Sequence, residues 1–500
     1  MILPLLLFFA TPADEVENAL KRFTEALAVV EREAADPVST EQGIYQGAIP
    51  GMLRRLDPHS IFFDPGQYEQ LKQMERSERK GFGSVVSVLP GRVIVLQALP
   101  GTPSAKSGLS PGDEILAVNN VALNRLQFDQ IIGFLGEARQ HQAKLDVRRP
   151  GNARLLQFIL DPELVDTPSV DRAFFLRPGI AYVRVNAFEV QTAKQLKQAI
   201  EGLGGAKLQG LVLDFRDNPG GVVQSALETA SFFLRPGQRI LSVKGRKMKS
   251  EDVDTPKTTV PYEFPVAILV NAKSASAAEI VTGALQDHDR AAIVGEPSYG
   301  KGLVQNVFPL SSNSGLALTT AFYYTPSGRS IQKPLSTGQL EVEHPAAAEF
   351  KTDSGRTVTG GGGIQPDVIV HPDQPTRLRV VLDASGVLAS FATEYTQRHK
   401  ITESFQATPA LLDDFQVYAS QREIQPAVVE WLREREWLLS RLQQEIFNQA
   451  LGVAKGDEVE AQRDPIVREA LQIVVGRAPR PAAGPGIYRA HTGQKIPGTS

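Results

Sequence analysis

The chain has 500 residues and a net charge of -3, and 42% of its residues are apolar. This length predicts three or four domains of ~100 to 200 residues each. The near-neutral charge, without a strongly basic tract, excludes a nucleic-acid binder. The absence of cysteine excludes disulfides, thiolate metal sites and a cysteine nucleophile.

The N-terminal part begins with an apolar run and continues as a helical region. Residues 1–13, MILPLLLFFATPA, resemble a secretory signal, although they lack a basic beginning. We therefore expect an extracytoplasmic protein, periplasmic or associated with the cell envelope, and this run is the only candidate membrane tether. Asp14 can cap an amphipathic helix, and helical structure is predicted over residues 14–79.

Two domains with different patterns of predicted secondary structure follow. Short β-rich runs separated by glycine and proline predict a compact module over residues 80–163. Over residues 164–375, strands such as LVLDF and VAILV alternate with helical stretches such as AAEIVTGALQ, which is typical of a layered α/β core. The fold class is therefore multi-domain α/β.

The C-terminal part is predicted to be helical over residues 376–476 and disordered over residues 477–500, where proline and glycine are frequent. One helical face carries apolar residues that would serve a core or a dimer contact. These are Val428, Trp431, Leu432, Leu438, Leu442 and Ile446.

Ser276 stands where the predicted strand VAILV turns into a helix that begins near Ala277. At such a turn the hydroxyl lies at the helix N-terminus, where unpaired backbone N–H groups favour developing negative charge. This placement suits an acyl-transfer nucleophile. For an isolated serine, helix capping would be the simpler interpretation, so the assignment depends on other residues.

The segment FRDNPGG, residues 215–221, also follows a predicted strand. Its glycines, Gly220 and Gly221, allow backbone N–H groups to approach a substrate carbonyl closely. An oxyanion hole needs two such donors, with Gly221 and Ala277 as candidates, and each donor contributes on the order of 3 kcal/mol of transition-state stabilisation. Alone, NPGG would indicate only a turn.

Lys301 lies in the glycine-flanked turn YGKGLVQ before an apolar strand. A lysine acts as a general base only when uncharged, so burial must lower a pKa that is ~10.4 in model peptides. Gln305 could hydrogen-bond the amine and orient it. His288, at the far end of the helix after Ser276, would be about 18 Å away. The histidines lack metal-ligand spacing, and no metal or other cofactor is expected.

Several motifs occur in order between residues 47 and 371: LDPHSIFFDP, GFG, GTPSAKSGLSPGDEILAVN, LDFRDNPGG, NAKSASAAEIVTGALQDH, GKGLVQ, TTAFYYTPSGRSIQ and GGIQPDV. In this combination the chain resembles the carboxyl-terminal processing peptidases, or tail-specific proteases, which carry an embedded PDZ domain. The resemblance implies a crotonase-like or ClpP-like protease core over residues 164–375 and a PDZ domain over residues 80–163.

The resemblance also assigns roles to single residues. It implies Ser276 as the nucleophile, Lys301 as the general base and Gln305 as the residue that positions the lysine. It places the oxyanion donors at the backbone of Ala277, Gly220 and Gly221. Asp287 falls at an acidic family position to which a supporting role has been given, although nothing in the local spacing directs its carboxylate at Lys301.

The PDZ-like module indicates the substrate. Backbone N–H groups of Gly81, Phe82 and Gly83 could hold a peptide's terminal carboxylate while the peptide adds as a strand to the sheet edge. Phe82 and Val85 would then line an apolar pocket for the last side chain. The expected partner is an exposed apolar protein C-terminus, and docking is expected to open or align the protease site as well.

The chain departs from the family pattern in two places, and two other functional classes fit parts of it. Ala278 replaces a serine that many relatives have, and the connection between Gln332 and Gly363 is longer than expected. The helical ends are assigned to homodimer assembly. A non-catalytic PDZ scaffold would not need Ser276, Lys301 and Gln305 together, and a crotonase-like acyl-thioester enzyme would need neither a serine at 276 nor a peptide-binding module.

Overall fold

The computed structural model describes residues 12–75, 78–89, 91–166, 168–247, 250–334, 348–476 and 487–488. Residues 1–11 of the signal-like run and, apart from residues 487–488, the C-terminal tail from 477 lie outside this part. The chain forms two units. One comprises Met1–Leu71, Val304–Ala321 and Pro334–Glu341, and the other comprises Lys72–Leu303, Phe322–Lys333 and Val342–Ser500.

Helices occur at both ends of the chain and between the strands of the middle part. They are α1 (Pro12–Glu33), α2 (Ile49–Arg54), α3 (Pro65–Glu75), α4 (Pro103–Ser107), α5 (Phe128–Ala138), α6 (Thr192–Gly202), α7 (Val223–Ser231), α8 (Ala277–Asp287), α9 (Arg377–Ser385), α10 (Val387–Arg398), α11 (Pro409–Ser420), α12 (Val428–Arg433), α13 (Arg435–Ala450), α14 (Val453–Arg463) and α15 (Pro465–Val474). None of these described helices is both long and apolar enough to cross a membrane.

Strands are concentrated between residues 61 and 369. They are β1 (Ile61–Phe63), β2 (Glu78–Gly81), β3 (Ser84–Leu89), β4 (Arg92–Ala98), β5 (Glu114–Val118), β6 (Val121–Ala122), β7 (Ala143–Arg148), β8 (Leu156–Leu160), β9 (Glu163–Asp166), β10 (Val170–Arg177), β11 (Ile180–Val185), β12 (Gly210–Asp214), β13 (Arg239–Lys244), β14 (Glu251–Asp254), β15 (Val266–Val270), β16 (Ala291–Gly295), β17 (Leu303–Pro309), β18 (Gly315–Tyr324), β19 (Glu349–Lys351), β20 (Thr357–Thr359), β21 (Val368–Ile369) and β22 (Ile487–Tyr488).

In the first unit, α1 confirms the predicted amphipathic helix. Its apolar residues are nevertheless largely exposed, with Val16 and Leu20 both 60% accessible. Further along, β1 pairs antiparallel with the start of β18, where Ile61 lies opposite Ala317. This unit also contains the LDPHSIFFDP motif, in which the buried Asp57 carboxylate accepts hydrogen bonds from the backbone of His59 and Ser60.

The β module of the second unit is a sheet in the order β3-β4-β5-β7-β8, with β6 on β5. Residues Ala143, Leu145 and Val147 of β7 alternate inward, as the period of a strand requires. Strands β2 and β9 pair with each other at the two ends of the module. Among the residues that the structure describes, strand β3 pairs only with β4, so it is an edge strand of this sheet.

The α/β core confirms the predicted alternation of strands and helices. Its sheet has the order β10-β11-β12-β15-β16-β21-β22, and only the β10–β11 pair is antiparallel. Every residue of β12 and β15 is buried, because a parallel strand in the middle of such a sheet is covered on both faces. Helix α15 covers one face, where Ile466 and Val467 pack near Val212 and Leu269.

The C-terminal helices form their own core around Leu382, Phe391, Phe415 and Leu442. The predicted single apolar face differs from what is observed. It is divided between α12 and α13, and Val428 and Leu432 are 70% and 60% exposed. The chain bends at Glu434, which changes the phase between the two helices, so Trp431, Leu438, Leu442 and Ile446 alone reach the core.

Candidate active site

Ser276 lies between β15 and α8 in a backbone conformation that non-glycine residues rarely adopt. Its φ is 52° and its ψ is -114°, and holding such a conformation costs of order 1–3 kcal/mol. The residue is half-buried. The Glu279 amide, the usual donor to a capping hydroxyl, donates to the Ser276 carbonyl at 2.8 Å.

The neighbouring Ser274 is a structural residue. Its hydroxyl donates to the carbonyl of Phe215 at 2.8 Å, and the Ala275 amide donates to the carbonyl of Asn218 at 2.9 Å. The two bonds attach the turn around Ser276 to the segment FRDNPGG. The turn around Ser276 and the segment FRDNPGG are therefore in direct contact.

The glycines of NPGG lie beside the Ser276 turn in different ways. The Gly220 amide donates to the side chain of Asn218 at 2.8 Å. A methyl group at Gly220, where φ is 92°, would lie 2.8 Å from both the Ala277 nitrogen and the Ser276 Cβ. The amides of Gly221 and Ala277 donate no hydrogen bond within the described residues. Two unused N–H donors thus flank the serine at a helix N-terminus.

The FRDNPGG segment is also connected to the C-terminal helices. The Arg216 guanidinium donates to Asp214 at 2.6 Å and to Asp464 at 2.5 Å. Asp464 in turn caps α15 by accepting from the Ile466 amide. Burial is nearly complete for Asp214, and the adjacent Arg216 guanidinium holds its pKa below the ordinary value against that burial. The C-terminal helices thereby fix the base of the loop.

Glu279 connects the Ser276 turn with the Lys301 turn. One oxygen of its buried carboxylate, Oε2, accepts the amides of Ser276 at 2.8 Å and Lys301 at 2.9 Å. The other, Oε1, accepts the Ser298 hydroxyl at 2.5 Å and the Gly300 amide at 2.8 Å. The nitrogens of Ser276 and Lys301 therefore lie within two hydrogen-bond lengths of each other, and we call this arrangement the Glu279 clamp.

Tyr323 holds the same two residues from their carbonyl side. Its hydroxyl lies 3.2 Å from the Ser276 carbonyl and 2.5 Å from the Lys301 carbonyl, to which it donates. Burial, together with the negative charge of Glu279, raises the pKa of Tyr323 well above its ordinary value. The hydroxyl therefore keeps its proton and remains a donor.

Sequence reasoning identified neither Glu279 nor Tyr323. A signal for Glu279 was present, because Ser276-x-x-Glu279 has the spacing of a capping box. The Ser276 amide does donate to the Glu279 side chain as in that motif. Its contacts to Gly300 and Lys301, however, come from a turn more than twenty residues away, which local spacing does not reveal.

The structure places Gln305 in the first unit. Its side-chain amide donates to the carbonyl of His59 at 2.7 Å, which links it to the LDPHSIFFDP motif. To accept a hydrogen bond from the Lys301 amine, Gln305 would have to use its other side-chain atom, Oε1. The orienting role of Gln305 toward Lys301 stays a prediction.

Asp287 belongs to the scaffold at the opposite end of α8. Its carboxylate forms a buried ion pair with Arg329 at 2.7 Å and accepts the Ser327 amide at 2.9 Å. Both side chains of the pair are at most 1% exposed. The described contacts of Asp287 therefore serve to fix the turn after β18.

In the PDZ-like module, the predicted carboxylate loop lies at the start of the edge strand β3. The carbonyls of Phe82 and Gly83 accept the amides of Ser104 and Leu99. Within the described residues their own amides donate no hydrogen bond. Phe82 packs on the module's core, and Val85 is half-buried. Gly81 ends β2, opposite Glu163.

Comparison with known proteins gives matches to two family models. Residues 179–342 match the model of peptidase family S41, and residues 94–149 match that of a PDZ domain. The chain is 33% identical over 344 residues to the carboxy-terminal-processing protease of Bartonella bacilliformis, covering 67% of this chain and 78% of that protein. It is 32% identical over 304 residues to the carboxyl-terminal-processing protease of Synechocystis sp., covering 60% and 71%.

A third relative is carboxyl-terminal-processing peptidase 2, chloroplastic, of Arabidopsis thaliana. It is 33% identical over 332 residues, and the alignment covers 64% of this chain and 63% of that protein. This likeness excludes the scaffold and thioester classes in favour of a protease. The chain therefore belongs to the carboxyl-terminal-processing serine peptidases of family S41.

Proposed function

We propose that this chain is an endopeptidase that recognises an exposed apolar protein C-terminus through its PDZ module and cleaves upstream of it through an acyl-enzyme on Ser276. In this mechanism Lys301 is the general base and Gln305 orients it. The observation that carries the proposal is the Glu279 clamp, because one carboxylate holds the backbones of the serine and the lysine side by side.

The chemical steps follow from these positions. The Ser276 Oγ attacks the scissile carbonyl while its proton passes to the Lys301 amine, which then protonates the leaving nitrogen. Water, deprotonated by the same amine, hydrolyses the ester. The unused amides of Gly221 and Ala277 donate to the oxyanion. Since the Gly220 amide is already bonded to Asn218, its contribution is to let the loop approach the serine.

Gly220→Ala is expected to lower kcat for peptide hydrolysis by ~100-fold or more. The added methyl would meet the Ala277 nitrogen and the Ser276 Cβ at 2.8 Å and would displace an oxyanion donor. Gly237→Ala is the matched control, because Gly237 also has a positive φ, 75°, but opens into free space. Equal kcat values for the two variants would contradict the proposed oxyanion hole.

The PDZ module supports recognition of a free carboxylate. Its edge strand β3 can accept an added peptide strand, and the unused amides of Phe82 and Gly83 precede that strand. Helix α5 lies against β3 and supplies the other wall of a groove. An apolar last residue would contact Phe82 and Val85, and Gly81 would contribute a third amide.

Gly83→Ala is expected to weaken binding of a fluorescent peptide with an apolar, free C-terminus by at least about tenfold. Gly83 has a φ of 71°, and a methyl group there would lie 2.3 Å from Thr102, so the loop must shift. Gly151→Ala, at a φ of 82° in open space of the same module, is the control. Fluorescence anisotropy checks the result, and unchanged affinity in Gly83→Ala would count against this loop.

The direct test of the whole proposal is covalent labelling of Ser276 by a serine-reactive phosphonate, followed by mass spectrometry. We expect labelling to accelerate when a peptide with a free C-terminal carboxylate is added, and not when its amidated form is added. Labelling of another serine would refute the nucleophile. Equal acceleration by the amidated peptide would refute recognition of the carboxylate.

The proposal extends to location and assembly. The apolar N-terminal run supports an extracytoplasmic location with that run as signal or tether. The exposed apolar residues of α1 support a homodimer through the helical ends. Cell fractionation tests the location and light scattering tests the dimer.

A further inference from the structure

A cavity of about 550 Å³ opens among the C-terminal helices, and Ser276 is not one of its lining residues. Its walls come from α9, α12, α13, α14 and α15. Four of its lining residues are arginines, Arg379, Arg433, Arg463 and Arg468, and two are acidic, Asp373 and Glu436. The cavity is therefore positively charged on balance, and Trp437 and Ser440 also line it.

Three of these arginines have no carboxylate partner. Arg379 pairs with Glu434 at 2.6 Å and approaches Asp373 at 3.7 Å. In contrast, Arg433, Arg463 and Arg468 form no ion pair within the part of the chain that the structure describes. Their positive charge is thus left to solvent or to a ligand.

Arg463 is the centre of this group. It is half-buried, and it donates to the Ser440 hydroxyl at 3.3 Å and the Gln444 side-chain carbonyl at 3.1 Å. A guanidinium has five N–H donors, so these two contacts fix its plane and leave donors for the cavity. The nearest carboxylates are engaged elsewhere, Glu460 with Arg172 and Asp383 with Arg441.

The pKa of Arg463 is consistent with its lack of a carboxylate partner among the described residues. Burial, together with the charge of Arg441, lowers the pKa of Arg463 to about 10, which is unusual for a guanidinium. The negative charge of a bound anion would offset these effects by favouring the charged guanidinium. The lowered pKa is consistent with the contacts of Arg463, whose hydrogen bonds at the cavity wall go to the neutral side chains of Ser440 and Gln444.

A second cavity in the same unit differs in the pairing of its arginines, and we call it the balanced cavity because every arginine in it has a carboxylate partner. It has a volume of about 730 Å³, lies between the PDZ module and the C-terminal helices, and is lined by five arginines. Each of these contacts a carboxylate, with Glu114, Asp113 and Glu394 as the partners. That cavity is an ion-pair network, whereas the smaller one has unpaired guanidinium groups.

We propose that the cavity around Arg433, Arg463 and Arg468 binds a compact phosphate-bearing anion. Guanidinium groups bind phosphate oxygens with paired N–H donors, and three of them match a ligand with more than one negative charge. The volume exceeds that of a single phosphate ion, so the natural ligand carries a second phosphate or an organic group. A soluble phosphoanion and the headgroup of an anionic phospholipid share this chemistry.

The test is titration calorimetry of the full chain with inorganic pyrophosphate at constant ionic strength, with sodium chloride as the reference. We expect one site per chain. Arg463→Gln and Arg468→Gln should each weaken binding at least about tenfold. Arg398→Gln, an exposed arginine of the balanced cavity, is the matched control and should leave binding unchanged.

A second arm distinguishes the source of the phosphate. Vesicles of phosphatidylglycerol and of phosphatidylcholine are sedimented with the protein, and retention on phosphatidylglycerol alone that is lost in Arg468→Gln assigns a lipid headgroup. Because Arg468 is exposed, its substitution keeps the test valid even if Arg463→Gln fails to fold. Absence of binding in both arms, or binding that survives both arginine substitutions, overturns the proposal.

Discussion

Ser276→Ala and Lys301→Met are each expected to lower kcat for tail-peptide hydrolysis by ~10⁴-fold or more, with tail-peptide binding unchanged. In the proposed mechanism the serine supplies the atom that forms the ester and the lysine supplies the base, so the members of this pair would act as a unit. The Glu279 clamp makes the unit rigid by holding both backbones. Initial rates and peptide-binding isotherms check the two expectations together.

The charge state of the base is tested by Lys301→Arg, which keeps the positive charge and cannot release it near neutral pH. We expect this variant to be as inactive as Lys301→Met. Lys273→Arg is the matched control, because Lys273 lies in the same region but its side chain is 79% exposed. Normal hydrolysis by Lys301→Arg would show that an uncharged lysine is not required.

Much of the core could be predicted from the sequence because its signals are local. The run VAILV is apolar throughout and LVLDF is apolar apart from Asp214, as is typical of central parallel strands, and both are completely buried. The turn at Ser276 was also predictable, since a strand, a few small residues and a helix follow one another directly. Its unusual φ of 52° was not, because it results from contacts with distant segments.

The parts that sequence reasoning missed depend on residues brought together by the fold. Glu279 has the spacing of a capping residue, but three of its four hydrogen bonds go to residues 298–301. Asp287 has a structural role because it forms a buried ion pair with Arg329, some forty residues later in the chain. The apolar face predicted across Val428 and Leu432 failed because periodicity does not show where one helix ends and another begins.

Glu279→Gln is expected to lower kcat by ~100-fold or more, although it changes a single oxygen to an amide nitrogen. All four groups that contact the carboxylate are donors. The Ser298 hydroxyl donates to it and accepts the Ile364 amide. An NH₂ group turned toward Ser276 and Lys301 would face two backbone donors, and an NH₂ group turned the other way would face the Gly300 amide. The clamp must open on one side.

The same substitution should also lower the free energy of unfolding at neutral pH, because buried N–H donors that bond to the carboxylate would then face an NH₂ group. Burial raises the pKa of Glu279 above its value in the unfolded chain, so the folded protein binds a proton there more tightly. The stabilisation from this proton is complete at low pH and disappears as the pH rises through the folded pKa. Glutamine cannot take up a proton, so Glu279→Gln should remove this contribution to the pH dependence of stability.

Glu434→Gln is the matched control for Glu279→Gln, because it makes the same substitution at a residue that is also buried, with 2% exposure. Glu434 differs in that it pairs with Arg379 among the C-terminal helices. We expect it to reduce the denaturation midpoint, since Arg379 loses its close partner, and to leave phosphonate labelling of Ser276 unchanged. Glu279→Gln should lower both the denaturation midpoint and the rate of labelling. If Glu279→Gln were labelled and turned over at the normal rate, the shared carboxylate would be dispensable for the Ser276–Lys301 pair, and positioning would have to come from Tyr323 alone.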